Sequence, residues 1–571
     1  MVTGLPNNAA PLRVVPLGGL GEIGMNMMAF DYEGSVILVD AGLMFPQEDL
    51  LGIDIVIPDF SSLLDPGKKV LALFLTHAHE DHIGAVPYLL RHLDIPVYGT
   101  PLTLGFLAEK LREHRKEVLS TRLVSIKPRE AISVGPFSVE PISVTHSVVD
   151  SVAYAITTPV GCLIHTGDFK IDPNPVGGSY FDQERFVEYG EKGVLALFSD
   201  STNAEREGHT GSEARIGENF DALFPEAEGR IIIATFSSNI HRIDQIAQIA
   251  QRHGRKLFLT GKSIIDSIRI ARELGYLAFP LDGIAPLEAL NETPDREVVL
   301  VTTGSQGEPM SALYRMATDD HKQIRIKPGD TVILSARVIP GNEIDISRVI
   351  NHLFKKGARV LHEKNAPVHV SGHASREEQR KMIGWVKPEF FIPIHGEYRQ
   401  MVSHAALAGQ TGIDPRRIMV VEDGDEILFS PGQCRKGETL PLRPTYIDGK
   451  GIGDVEQTVL KERRHLGSDG MIIVTVAVDR ESGKVRSGPT LLSRGFTFDR
   501  SAQPVWQPLW IEMERALDTF IQETAADPAW KEEIPIALKE KMETRIRQIL
   551  KKIISKRMDR YPMIIPNVIM I

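Results

Sequence analysis

Short apolar runs, bounded by polar or glycine-containing turns, recur along this chain, and several end directly on histidine or aspartate. Residues 70–76, "VLALFLT", are too few for a buried helix and predict a buried strand. That run leads straight into His77, His79, Asp81 and His82, where the chain opens into a loop and a helix. "SVILVDAG" sets Asp40 at the end of another run, and the alternating "VEPISVTHS" predicts a strand ending near His146. "GCLIHTGDFK" places Asp168 and "ALFSDSTNAE" places Asp200 after further apolar strands. Much later, "APVHVSGHAS" predicts a strand leading to His369 and His373, and "FFIPIHGEYR" one leading to His395.

The same patterning divides the chain. Strands and helices over 11–207 carry the first histidine cluster. Residues 208–367 form a fresh series in which "GRIIIATF", "KLFLTG", "EVVLVTTGSQGEP" and "DTVILSA" are strands, and "NIHRIDQIAQIAQRHG" is a helix closed by Gly254. Alternating strands and helices predict a parallel sheet. This block reads as an insertion, because His373 and His395 lie beyond it and must return to the first cluster. Residues 368–448 then complete the first domain. The glycine-rich 449–464 reads as a linker, and 465–571 as a small C-terminal domain. Within that domain "GMIIVTVAVDRESGKV" predicts a hairpin, helices follow over 510–557, and "MIIPNVIMI" a last strand. In the basic helix before that strand, Met542, Ile546, Ile549, Leu550 and Ile553 recur at helical spacing, so one face packs inward, and the Lys and Arg side chains of the other read as a solvated face or, alternatively, as a surface toward RNA or a second subunit.

Composition narrows the setting. No basic, then apolar, then small-residue start is present, and no apolar stretch approaches the roughly 20 residues of a membrane helix. Cys162 and Cys434 read as two reduced thiols. Together these predict a soluble cytoplasmic enzyme with no membrane partner. The net charge of −10 argues against a nucleic-acid partner at first sight. A carboxylate-rich metal site contributes to that charge, however, and RNA binding needs only a local basic groove.

Imidazole and carboxylate are ligands suited to zinc. Four such residues within six positions cannot all face one ion, so their side chains split into two sets and predict two adjacent metals. The cluster resembles the signature of the metallo-β-lactamase superfamily. "LGGLGEIGMN", "HTGDFK", "SDSTNAE", "SGHAS" and "PIHGEYR" together resemble bacterial ribonuclease J, of the β-CASP branch, from about Leu17 onward. The fold implied is α/β: an αββα sandwich with an inserted β-CASP α/β domain and a small α/β C-terminal domain.

The resemblance also implies roles. His77, His79 and His146 would hold one zinc, Asp81, His82 and His395 a second, with Asp168 bridging, and manganese or magnesium are the alternative metals. Asp40 would brace the ligands. Asp200, His373 and His395 match the branch's motifs A, B and C. Asp81 would orient or deprotonate the attacking water, and His373, backed by Asp200, would protonate the leaving 3′ oxygen. His369, Val370, Ser371, Gly372 and His373 would grip a 5′-monophosphate nucleotide. Ser237, Ser238 and Asn239, at a helix start, are either a second phosphate contact or an ordinary cap. "TTGSQGEP" lines the RNA path or is a plain turn.

The expected activity is 5′→3′ exonucleolysis of single-stranded RNA from 5′-monophosphate ends, with endonuclease capability, in messenger RNA turnover and ribosomal RNA maturation. A homodimer or tetramer is expected, within a larger RNA-degradation complex. Other readings are a DNA-directed β-CASP nuclease, a hydrolase of small esters or thioesters, and an assembly subunit with a dead site.

Overall fold

The structure is a computed structural model and describes residues 10–47, 49–114, 121–177, 180–279, 283–339, 341–479, 485–496, 507–526 and 535–571. The chain divides into two compact units, Met1–Phe45 with Ile55–Thr445, and Pro46–Asp54 with Tyr446–Ile571.

Two sheets form the centre of the first unit. An eight-stranded sheet runs in the order Gln433–Thr439, Asp425–Ser430, Leu12–Gly18, Met27–Tyr32, Ser35–Val39, Lys69–Phe74, Val97–Gly99, Leu123–Ser125. A six-stranded sheet runs Phe390–Ile394, Ala196–Asp200, Cys162–His165, Val152–Thr157, Phe137–Ser143, Ile132–Val134. Alternate residues from both sheets fill the layer between them, where Phe30 meets Phe198 edge-on at 6.0 Å and Phe74 meets Tyr154 at 5.6 Å. The opposite faces are covered by helices. Leu102 and Leu107 of Pro101–Glu113 pack on the first sheet, and Phe186, Met382 and Ile383 from Gln183–Lys192 and Arg376–Val386 pack on the second. These are the four layers of an αββα sandwich.

Strands Ala196–Asp200 and Phe390–Ile394 are parallel neighbours in one sheet, although 189 residues separate their ends. Between them lies a five-stranded sheet with every pairing parallel, in the order Lys256–Thr260, Val298–Thr302, Ile231–Ala234, Thr331–Leu334, Arg359–His362. Its three central strands are buried along their whole length because helices cover both faces.

Two local expectations change. "APVHV" is not a strand; the preceding strand is Arg359–His362. The Pro367 and Val368 carbonyls accept from the Asn219 and Ser335 side chains instead of from a neighbouring strand. The stretch 449–464 is not a bare linker either, since the helix Gln457–Asp469 occupies its second half and buries Leu460.

In the second unit, Met471–Val478 pairs antiparallel with Val485–Arg494 and parallel with Met563–Met570. One face of this sheet packs on the helices Gln507–Ala526 and Pro535–Met558. The buried positions of the last helix are Met542, Ile546, Leu550 and Ile554, while Ile549 and Ile553 are only half-buried.

Candidate metal centre and active site

The site forms where strands of both sheets end. Val39 pairs in parallel with Phe74, which sets Asp40 beside Thr76. Thr76 donates its amide to Asp40 Oδ1 and its hydroxyl to Oδ2, both at 2.8 Å. In the other sheet Asp200 pairs with Ile394, so His395 follows at the same level. Asp40 and His395 both adopt left-handed backbone, with φ of 60° and 51°. Such conformations cost about 1–3 kcal/mol each and cluster at functional sites. Close packing also selects glycine at Gly42, where a Cβ would lie 1.6 Å from the Asp81 carbonyl oxygen.

Two donor groups meet at one carboxylate. His77, His79, His146 and Asp168 form the first, and Asp81, His82, Asp168 and His395 the second, with the ligand atoms of each group within 4.8 Å of one another. Asp168 Oδ2 lies 3.6 Å from His77 Nε2, 3.2 Å from His82 Nε2 and 3.8 Å from His146 Nε2, and Oδ1 lies 3.5 Å from His395 Nε2. Asp168 is 2% exposed, yet neither oxygen accepts a hydrogen bond among the described residues. A buried carboxylate without donors is strongly disfavoured unless a cation faces it. The donor set therefore fits bound metal.

Apart from His79, whose Nδ1 lies 3.0 Å from His77 Nε2, the imidazoles are aimed from behind. His82 Nδ1 lies 2.8 Å from Asp40 Oδ2, and His77 Nδ1 lies 3.0 Å from Thr76 Oγ1. His146 Nδ1 donates to the Gly372 carbonyl at 2.7 Å. His395 Nδ1 lies 2.7 Å from Thr202 Oγ1, which donates to Asp200 Oδ1 at 2.8 Å. His373 Nδ1 lies 2.8 Å from Asp200 Oδ2, and the His373 side chain is 19% exposed.

Charge follows this layout. Burial, then the neighbouring His82, pushes His77 well below the usual histidine value; burial and His373 do the same for His146. Burial brings His79 down to about 4. Burial also opposes the charge on His82 and His395, but Asp168 and further carboxylates raise both well above the usual value. Burial would raise the Asp81 and Asp200 carboxyls; His82 beside the first and His373 beside the second hold them well below the carboxylate range.

The residues expected to bind substrate are distributed differently. Ser371 Oγ accepts from Asn203 Nδ2 at 2.9 Å, and Val370 is half-buried. At Gly372 a Cβ would lie 2.6 Å from His146 Cε1, so the glycine makes room for that imidazole. His369 Nδ1 accepts from Arg242 at 3.0 Å, and burial first, then Arg242, pushes it well below the usual histidine value. Asn239 caps the helix Ile240–Arg252, its side chain accepting from the Arg242 amide at 3.2 Å. Ser237 and Ser238 are half-buried, and no hydrogen bond joins them to the metal-centre residues among the described residues. A cavity of about 240 Å³ borders His146 and reaches Lys127, Asp172, Glu213, His241 and Tyr276.

Thr76, Thr202, Asn203, Arg242 and Arg337 were not singled out by the sequence. Asn203 donates to both Ser371 Oγ and the His373 carbonyl, and Arg337 donates to Asn203 Oδ1 at 2.6 Å. Thr202 and Asn203 directly follow Asp200 and Ser201 in "SDSTN", which was the one available signal.

Comparison with known proteins agrees with this geometry. Residues 21–185 match the metallo-β-lactamase superfamily, and residues 228–353 match the ribonuclease J β-CASP domain. Residues 359–417 match a Zn-dependent metallo-hydrolase RNA specificity domain, and 458–571 the ribonuclease J C-terminal domain. Ribonuclease J of Helicobacter pylori (strain ATCC 700392 / 26695) is 42% identical over 559 residues, covering 98% of this chain and 80% of the relative. Ribonuclease J2 of Bacillus subtilis (strain 168) is 40% identical, covering 98% of each chain. Ribonuclease J of Thermus thermophilus is 38% identical, covering 98% of this chain and 95% of the relative. A crystal structure of a protein of unknown function from Enterococcus faecalis V583 shares the fold, with a TM-score of 0.52 at 19% identity, over 74% of this chain and 100% of that one. With domain matches along its length and relatives near 40% identity over almost all of it, the chain belongs to the ribonuclease J family.

Proposed function

We propose that the chain is a metal-dependent ribonuclease that degrades single-stranded RNA 5′→3′ from 5′-monophosphate ends and also cuts internally. The proposed setting is the cytoplasm, in messenger RNA turnover and ribosomal RNA maturation, and the proposed working form is a homodimer or tetramer. The observation that carries the reading is the double donor group around Asp168, with the His373–Asp200 pair beside it.

His77, His79 and His146 would hold one ion and Asp81, His82 and His395 the other, with Asp168 between them; two zinc ions per subunit are proposed. When bound, the metal pair supplies Lewis-acid acidification of water and neutralisation of charge on a phosphoryl oxygen. Asp81 is the ligand carboxylate that reaches solvent, at 28% exposure, and it accepts a hydrogen bond from the attacking water. His373 is held by Asp200 through Nδ1, so Nε2 is left to face the scissile phosphodiester. It gives the leaving 3′ oxygen its proton. Of the basic groups near His369, the exposed Arg337 and Arg206 make the segment through His373 attractive to a terminal phosphate, while the buried Arg242 and Lys170 are paired with carboxylates.

The test uses one RNA with a labelled 3′ end, carrying a 5′-monophosphate or a 5′-triphosphate, incubated with zinc-loaded protein and with His77→Ala. Mononucleotides released from the monophosphate substrate, and lost in the variant, are the expected result. Internal fragments from both substrates would make the protein chiefly an endonuclease. Cleavage of DNA or thioesters with RNA left intact would overturn the ribonuclease reading.

A further inference from the structure

Two carboxylate–threonine pairs flank the donor groups, and each serves two imidazoles. On one side Asp40 contacts His82 Nδ1 directly at 2.8 Å, while Thr76 Oγ1 lies 2.8 Å from Asp40 Oδ2 and 3.0 Å from His77 Nδ1. On the other, Asp200 contacts His373 Nδ1 directly at 2.8 Å, while Thr202 Oγ1 lies 2.8 Å from Asp200 Oδ1 and 2.7 Å from His395 Nδ1. The pairs come from different sheets and are arranged alike: one carboxylate takes one imidazole directly and a second through a hydroxyl.

A hydroxyl has one proton. Thr202 gives it to Asp200 Oδ1, because an ionised carboxylate only accepts. His395 Nδ1 must then be the donor to Thr202 Oγ1. Nδ1 therefore carries a hydrogen, and Nε2 is the nitrogen turned toward the donor group, 3.5 Å from Asp81 Oδ2 and from Asp168 Oδ1. The Thr202 amide also donates to Asp200 Oδ1 at 2.9 Å, so the hydroxyl is held in place by its own backbone.

We infer that Thr202 is a positioning residue for the second donor group, its hydroxyl coupling Asp200 to His395 so that Nε2 is set for a divalent cation. The inference rests on the proposed metal reading, and it ties the orientation of His395 to the carboxylate that also orients His373. Asp200 Oδ1 itself lies 3.4 Å from His395 Nδ1 and takes over part of the role when the hydroxyl is removed. The effect of that removal therefore falls near the lower end of the roughly 10–100-fold range for such outer partners.

The test is competition for zinc between a chromophoric chelator and Thr202→Val, Thr202→Ser, His395→Ala or the unchanged protein, with metal content read by mass spectrometry. Thr202→Val keeps the shape of the side chain without its hydroxyl. The expected result is about tenfold weaker binding of one zinc of two in Thr202→Val, return toward the unchanged affinity in Thr202→Ser, and loss of that same zinc in His395→Ala. Unchanged zinc affinity in Thr202→Val, with His395→Ala deficient, would overturn the role of Thr202 and leave the metal reading standing. Weakening that Thr202→Ser fails to restore would also overturn it, since the cause would then be shape. Two full zinc ions in His395→Ala would remove the metal reading and this inference with it.

Discussion

Replacing His373 by alanine removes the group placed to protonate the leaving oxygen and leaves all seven proposed ligands in place. A well-placed general acid contributes about 10²–10⁴ in rate, which is about 3–5 kcal/mol at 1.36 kcal/mol per tenfold. The geometry argues for the middle of that range. His373 Nδ1 is pinned at 2.8 Å by a fully buried Asp200, so the ring is already oriented before substrate arrives. A loss of about 10³ in the single-turnover rate is expected for His373→Ala.

The diagnostic assay compares an ordinary RNA with one whose first scissile 3′ oxygen is replaced by sulfur. A thiol has a pKa of about 8.5, against about 15.7 for water, so a thiolate leaves without a proton. His373→Ala should lose about 10³ on the oxygen substrate and less than about tenfold on the sulfur substrate. Zinc content must be measured alongside, because the His373 ring packs against His146 and His395 with centroids 5.0 Å and 5.3 Å away. Equal losses on both substrates, with full metal content, would refute the general-acid role.

Gly372→Ala should lower the zinc content of the His77–His79–His146 group and activity with it, because the new Cβ would lie 2.6 Å from His146 Cε1; full zinc content would show that the loop yields. Glu213→Gln should destabilise by about 3–5 kcal/mol, since it leaves the buried Arg242, now held at 2.6 and 2.8 Å, without its counter-charge. Faster hydrogen exchange in the helix Ile240–Arg252 is the readout, and unchanged exchange would contradict it. Zinc binding should also separate by pH. In the metal-free protein His82 and His395 are raised well above the usual histidine value, so near neutrality they carry protons that an incoming cation must displace. His79 is at about 4, and His77 and His146 are likewise lowered, so that group carries none. Across roughly pH 6–8, calorimetry should find one zinc affinity nearly flat and the other rising with pH, by up to about a hundredfold per unit for two protons; two flat affinities would refute this assignment.

The sequence by itself determined the chemistry of the candidate ligands and the strands that carry them. His77, His79, Asp81 and His82 stand together directly after an apolar run, and Asp40, His146, Asp168, Asp200 and His395 each follow a strand or its approach. Burial forces strands to be apolar, and the change to histidine and aspartate at their ends breaks that rule visibly. The insertion was legible for a related reason, since a parallel sheet needs apolar strands separated by helices. The path 366–370 was misread because apolar content signals burial rather than pairing, and there the carbonyls of Pro367 and Val368 bond to side chains.

Only the tertiary structure decided how those ligands are oriented. Thr202 meets His395 across 193 positions, Arg242 meets His369 across 127, and His146 meets the Gly372 carbonyl across 226. Threonine and arginine are common on any surface, so their residue type carries no mark of such a role. The role arises from strand register, which sets Asp200 beside Ile394 and Asp40 beside Thr76. It also arises from the backbone's return through Gly372, whose missing Cβ lets its carbonyl reach His146. Hydrogen-bond direction is a property of atoms brought within about 3 Å, and a linear pattern does not contain that distance.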